Sequence, residues 1–221
     1  MTPDRLRRFA ALGDLHAEDE RLAHVLTWLS GQQVEVVLSV GDIVDGAGDV
    51  DRCCALLAEH GAIVVRGNHE RWLLEDPFVC QPEFIAPGSL GFIAALPATR
   101  RLSTSRGDLM LCHGVGDNDR VRLHPQHQET SQAAIDALGP LLADPELRFV
   151  VAGHTHRRMV RSFARAGGPP LIFINPGTLH RGYPGSFAVV DLERGEVEFY
   201  EVIGTGGNIV VAQAEVVALP G

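Results

Sequence analysis

Five apolar segments of this chain run into the same kind of ending: Gly13-Asp14-Leu15-His16, Gly41-Asp42, Gly67-Asn68-His69, Cys112-His113-Gly114 and Gly153-His154-Thr155-His156. A single Gly-Asp pair says little, because it is common in turns. Five such endings, each carrying Asp, Asn or His, predict strands that deliver polar groups to one edge. In open α/β sheets, ligands bind beyond the carboxyl ends of the strands. The glycines would let the backbone turn sharply and approach a crowded centre. In extended backbone, residues i and i+2 face the same way, so His154 and His156 can reach one small volume.

The residues between these endings predict how the strands connect. Residues 8–12 form a short apolar run, and 19–31 place Leu22, Val25, Leu26 and Leu29 at the helical period with Gly31 as a stop. Residues 34–40 read as a strand, 50–60 as a helix and 62–65 as a strand. This is a βαβαβ unit with parallel strands and right-handed crossovers. Further on, 102–113 read as a hairpin turning at Arg106-Gly107, 131–143 as a helix, and 159–164 and 171–174 as strands. A second hairpin spans 186–202 and turns at Arg194-Gly195. Residues 117–130 are polar and aperiodic, a long loop of the kind that is usually functional in a compact domain. A chain of 221 residues fits one domain, 1–221, with 209–219 as an added edge strand or a segment swapped onto a neighbouring copy. A homo-oligomer is therefore left open.

The endings supply seven donors: Asp14, His16, Asp42, Asn68, His113, His154 and His156. That is too many for one tetrahedral zinc. They suit two divalent cations that share a carboxylate and a bridging water. Against two carboxylates and a hydroxide, two such ions leave about one net positive charge, which draws a phosphate ester. Two-metal sites with ions ~3.5–4 Å apart recur in phosphatases and nucleases. Mixed nitrogen and oxygen ligation fits Mn, Fe, Zn, Co or Ni better than Mg.

Composition narrows the field. The net charge of −9 argues against extended nucleic acid held by phosphate contacts. Every basic side chain is Arg, which removes Schiff-base and P-loop lysine chemistry. Cys53, Cys54, Cys80 and Cys112 show neither metal spacing nor a disulfide framework and read as reduced, mostly buried thiols. No apolar run is long enough for a signal peptide core or a bilayer span, so the expectation is a cytoplasmic protein without a membrane partner.

Taken together, the motifs D-L-H, G-D-I-V-D, G-N-H-E, C-H-G and G-H-T-H resemble the signature of the calcineurin-like metallophosphoesterases. The resemblance runs from Asp14 to about Leu179, where N-P-G-T-L also looks like the family. It implies an α/β fold, a four-layer α/β/β/α sandwich of two mixed β-sheets flanked by helices. It also implies that Asp14, His16, Asp42 and His156 hold one metal, and that Asp42, Asn68, His113 and His154 hold the other, with Asp42 bridging. His69 looks like the general acid and phosphate contact, and Asp45 like the residue that orients it. By the same resemblance the reaction is hydrolysis of a phosphate mono- or diester, with a metal-bound hydroxide attacking phosphorus in line.

Two departures bear on substrate. Protein Ser/Thr phosphatases and the related diadenosine tetraphosphatases carry Gly after the first His and Arg after Gly-Asp-x-x-Asp, where this chain has Ala17 and Gly46. It looks more like the small bacterial phosphodiesterase and phosphatase branch, with a small nucleotide-type substrate. A protein phosphatase, a dinucleoside polyphosphate hydrolase and a non-catalytic scaffold of the same fold, as in a retromer subunit, are the alternatives. Candidate substrate contacts are Arg71, Asn118, Arg120 and His124, with Arg122 and His127 nearby. For Arg71 the competing reading is an ion pair with Glu70 or Glu75. Asp117, Asn118 and Asp119 are equally placed to cap a turn, and Asn175 and Thr178 to shape one. His24 and His60 read as ordinary helix-surface residues, and His180-Arg181 is ambiguous.

Overall fold

The computed structural model describes residues 5–75, 84–126 and 130–220, so Cys80 and His127 lie outside the described residues. Within these bounds the order is β1 (Arg8–Leu12), α1 (Asp19–Ser30), β2 (Val37–Ser39), α2 (Val50–Glu59), β3 (Ile63–Val64), α3 (Asn68–Glu75) and α4 (Pro87–Ala94). There follow β4 (Arg100–Thr104), β5 (Gly107–Leu111), α5 (Gln132–Ala143), β6 (Leu147–Val151), β7 (Met159–Arg165) and β8 (Gly168–Asn175). The chain continues through β9 (Gly185–Asp191), β10 (Glu196–Ile203) and β11 (Val210–Ala218).

The strands form two mixed sheets, with orders β11-β10-β9-β1-β2-β3 and β4-β5-β6-β8-β7. β1, β2 and β3 are parallel, as the βαβαβ pattern predicts. In the second sheet β5, β6 and β8 are parallel. Period-two alternation sorts their side chains. On β1, Phe9 and Ala11 enter the core between the sheets, while Ala10 and Leu12 face the helices. Leu111, Phe149, Val151, Ile172 and Ile174 meet the first group from the second sheet. On the outer side of the first sheet, Leu22, Val25, Leu26 and Leu29 of α1 and Leu57 of α2 pack against it. On the outer side of the second, Ala134, Leu138 and Leu141 of α5 cover Val150 and Phe173. The result is the four-layer α/β/β/α sandwich.

Helix starts follow local chemistry. The Asp49 carboxylate accepts from the Arg52 N–H to cap α2, and the Ser131 hydroxyl accepts from the Ala134 N–H to cap α5. Residues 209–219 add an edge strand to β10, with a bulge opposite Phe199 and Tyr200. The second strand is shorter than the sequence pattern predicts, because residues 32–35 are spent on a turn in which Val34 N–H donates to the Gln32 carbonyl.

Glycines before the donors do less turning than the sequence suggests. Asp14 (φ 47°), His16 (φ 46°), Asp42 (φ 51°), Asp45 (φ 69°), His154 (φ 68°) and His156 (φ 58°) are themselves left-handed, whereas among the preceding glycines only Gly41 (φ 91°) is. Such backbone costs about 1–3 kcal/mol per residue and persists only where the surroundings impose it. The other glycines supply room. A Cβ at Gly67 would fall 2.1 Å from Asp42 Oδ1, and one at Gly153 would fall 2.5 Å from Asp14 Oδ2.

Candidate metal centre

The carboxyl ends of β1, β2 and β3 from one sheet, and of β5 and β6 from the other, converge on a single place. Asp14, His16, Asp42 and His156 offer ligand atoms within 4.8 Å of one another, and so do Asp42, His113 and His154. Asp42 belongs to both groups. Asn68 joins the second, its Oδ1 standing 2.9 Å from His113 Nε2. His113 Nε2 also lies 3.2 Å from Asp42 Oδ2 and 3.2 Å from His154 Nδ1. In the first group His16 Nε2 and His156 Nε2 are 3.2 Å apart, and His156 Nε2 is 3.5 Å from Asp14 Oδ1.

The donor set fits divalent cations on several independent grounds. His16 Nδ1 donates to the Asp45 carbonyl at 3.1 Å, and His113 Nδ1 donates to the Val40 carbonyl at 2.8 Å. Each ring therefore presents Nε2 to the centre, the orientation metal-ligating histidines use. Nε2 of His16 and Nε2 of His156 face each other at 3.2 Å. His156 Nδ1 is buried without a hydrogen-bond partner.

The electrostatics agree. Burial, reinforced by the charge of Asp42, pushes the Asp14 carboxyl up to about 8. Burial pushes His154 down to about 4, with His113 adding to the effect, and His156 down to about 3, with His16 adding to it. Burial also lowers His16. At His113 burial acts downward too, but Asp42 overrides it and lifts the imidazole to about 10; reciprocally, His113 holds Asp42 below the ordinary carboxylate range against burial. A buried, strained site with protons standing where cations would neutralise charge is suited to metal binding.

His69 stands over this centre. Its Nδ1 donates to Asp45 Oδ2 at 2.7 Å, and its Nε2 is 3.8 Å from Asp42 Oδ2. Its backbone N–H donates to Asp42 Oδ1 at 3.1 Å. Trp72 flanks the His69 ring at 4.8 Å, while Tyr183 flanks His156 at 4.6 Å.

Glu70 was passed over in the sequence, where it entered only as a partner for Arg71. Fully buried, its carboxylate accepts from the N–H groups of Asp42 (2.9 Å), Ile43 (2.6 Å), Val44 (3.1 Å) and Gly67 (2.8 Å). It staples the loop after β2 to the loop after β3, and its place at the end of G-N-H-E was the available signal. His180, left ambiguous in the sequence, packs its ring 5.2 Å from His16. Asn175 and Thr178 tie loops together. Asn175 Nδ2 donates to the Gly153 carbonyl at 2.7 Å, and Thr178 Oγ1 donates to the Asp14 carbonyl at 2.6 Å.

The candidate substrate contacts divide. Arg71 has its guanidinium engaged by Asp119 through two bonds of 2.6 and 3.1 Å and by Glu75 at 3.1 Å, not by Glu70. Asn118 Oδ1 accepts from the Arg120 N–H at 3.1 Å, within a turn. Arg120 and His124 line a separate cavity together with Arg122. His24 and His60 are hydrogen-bonded to backbone carbonyls of their own helices.

Fold and donor set together define a two-sheet α/β protein with a candidate metal site at the strand ends. The sequence model of the calcineurin-like phosphoesterases matches residues 7–158, and the chain belongs to that family. Among solved structures, a metallophosphoesterase from Sphaerobacter thermophilus is 21% identical with a TM-score of 0.67, covering 90% of this chain and 89% of its own. The phosphoesterase Yfce from E. coli is 16% identical with a TM-score of 0.57, covering 96% and 99%. Vps29 from Chaetomium thermophilum is 16% identical with a TM-score of 0.57, covering 97% of both chains. At these identities the likeness is one of fold. A search of curated proteins returned no match.

Proposed function

We propose that the protein is a dinuclear metal-dependent hydrolase of small phosphate mono- or diesters, with a nucleotide-type substrate. The observation that carries this reading is the sharing of Asp42 by two donor groups at the strand ends of two mixed sheets. Asp14, His16, Asp42 and His156 would hold one ion, and Asp42, Asn68, His113 and His154 the other. Mn, Fe, Zn, Co or Ni suit this nitrogen and oxygen set. When bound, the ions supply Lewis-acid activation of water and neutralise charge on the phosphoryl oxygens.

The chain's own groups do the rest. The oxygen of water bonds to phosphorus and sheds a proton to solvent as the bond to the leaving oxygen breaks, and the electron pair of that bond stays on the leaving oxygen. His69 is placed to hand it a proton. Asp45 accepts from Nδ1 and holds the ring so that Nε2 faces the centre. Glu70 holds the two loops that carry Asp42 and Asn68 in register.

The scaffold reading draws on the fold shared with Vps29. Retention of all seven donors and His69 favours catalysis. No helix among the described residues is long and apolar enough to cross a membrane, and Cys53, Cys54 and Cys112 are buried and unpaired, which suits a reducing cytoplasm. Elemental analysis of the purified protein, followed by a panel of monoesters, diesters and cyclic nucleotides with added Mn, tests the proposal. Metal uptake with turnover is expected; metal uptake with no turnover of any ester would favour the scaffold.

A further inference from the structure

A cavity of roughly 500 Å³ opens beside the second donor group, lined by Asn118, Arg120, Arg122, His124 and Ser131. It is joined to the metal centre through Arg122, whose Nε stands 3.3 Å from His154 Nε2. Among the described residues no carboxylate lines this cavity.

The chain carries 28 acidic and 19 basic residues; several of its arginines are matched to carboxylates, while others, such as Arg21 and Arg165, donate to backbone carbonyls. Arg52 meets Asp19, Arg71 meets Asp119, Arg101 meets Asp108 and Asp144, and Arg181 meets Glu18. Neither Arg120 nor Arg122 pairs with a carboxylate among the described residues. The guanidinium fork is built for bidentate recognition of phosphate. The wall is also held firm. Arg161 donates to the His124 carbonyl at 2.6 Å and to Thr130 Oγ1 at 3.2 Å, and Val121 and Leu123 are buried in the core beneath α5.

We propose that this cavity is a second-anion subsite, so that the substrate is a doubly phosphorylated small molecule: one phosphate is cleaved at the metal centre while Arg120 and Arg122 grip the other. The proposal rests on the phosphoesterase reading and deepens it. A cavity of this size exceeds one phosphate and has room for the sugar that joins two. Arg71, committed to Asp119, does not compete for this role.

Matched nucleotides test it. Kinetics with Mn would compare AMP, ADP and adenosine 3′,5′-bisphosphate in the native protein and in Arg120→Ala/Arg122→Ala. The native protein is expected to prefer a doubly phosphorylated compound over AMP by at least tenfold in kcat/KM, and the variant to lose most of that ratio. ADP and the bisphosphate distinguish an anhydride from two separate esters. Calorimetric titration of adenosine 3′,5′-bisphosphate and of AMP gives the same comparison without turnover, with Arg120→Lys/Arg122→Lys retaining part of the preference. Equal affinity for AMP and the bisphosphate, or a preference that survives loss of both arginines, overturns the subsite. Absence of turnover on every ester, with the Arg-dependent binding preference intact, would instead count against the phosphoesterase reading.

Discussion

His69 Nδ1 and Asp45 Oδ2 are 2.7 Å apart, although they stand 24 positions apart in the chain, one in the first turn of α3 and the other in the loop after β2. The carboxylate fixes which ring nitrogen carries a proton and leaves Nε2 facing the centre. A positioned acid contributes about 10²–10⁴-fold, and only when the departing oxygen needs a proton.

His69→Ala should therefore lose far more activity on a ribose ester than on a nitrophenyl ester, whose leaving group departs as an anion. Asp45→Asn should show the same pattern more mildly, with metal content near native in both. Ratios of kcat/KM for the two leaving groups decide the matter. Equal losses on both would leave His69 as a phosphate contact only.

Asp42 lies in both donor groups, whereas His16 lies in one. Asp42→Asn should lower occupancy of both metal positions, because an amide cannot neutralise two cations. His16→Ala should weaken chiefly one. Elemental analysis of the dialysed variants would sink the bridging assignment if Asp42→Asn kept two ions at native affinity.

Metal uptake should release protons. Without metal, burial holds Asp14 up at about 8, and Asp42, overriding burial, holds His113 up at about 10. Both groups are then protonated at neutral pH and must give up their protons to bind a cation, so about two protons should leave per filled centre at pH 7. The sign follows: apparent affinity rises as pH climbs through 8 toward 10 and falls as pH drops. Calorimetry in two buffers of different ionisation enthalpy measures the release, and an uptake independent of buffer would contradict it.

Glu70→Ala should destabilise the fold as well as the site. Four buried N–H groups lose their acceptor, and an unsatisfied buried donor costs about 1–3 kcal/mol. A loss of roughly 3 kcal/mol or more in urea unfolding is expected, with weakened metal binding. Glu75→Ala on the same helix, exposed and paired only with Arg71 in an i,i+4 bridge, should change stability by about 1 kcal/mol or less. Similar effects from the two variants would count against the stapling role.

Much of this protein is legible in its sequence because the relevant physics is local. The apolar run of residues 8–12 and the helical period of Leu22, Val25, Leu26 and Leu29 each act over a few residues, and the observed elements begin and end close to where these patterns do. The seven donors were visible for the same reason, each marking the end of an apolar run. What the chain could not show one segment at a time depends on how the two sheets pack. Only that packing brings His113 and His156 from the second sheet against Asp42 and Asp14 from the first. Only there does crowding push the left-handed turn onto the donors themselves, while Gly67 and Gly153 stand aside as space. The same holds for charge. A carboxylate such as Glu70 becomes a staple, Arg71 is taken by Asp119, and Arg120 and Arg122 are left facing a cavity. Residues so distant along the chain meet only when the sandwich closes, and ion pairs and buried hydrogen bonds act only at contact distance.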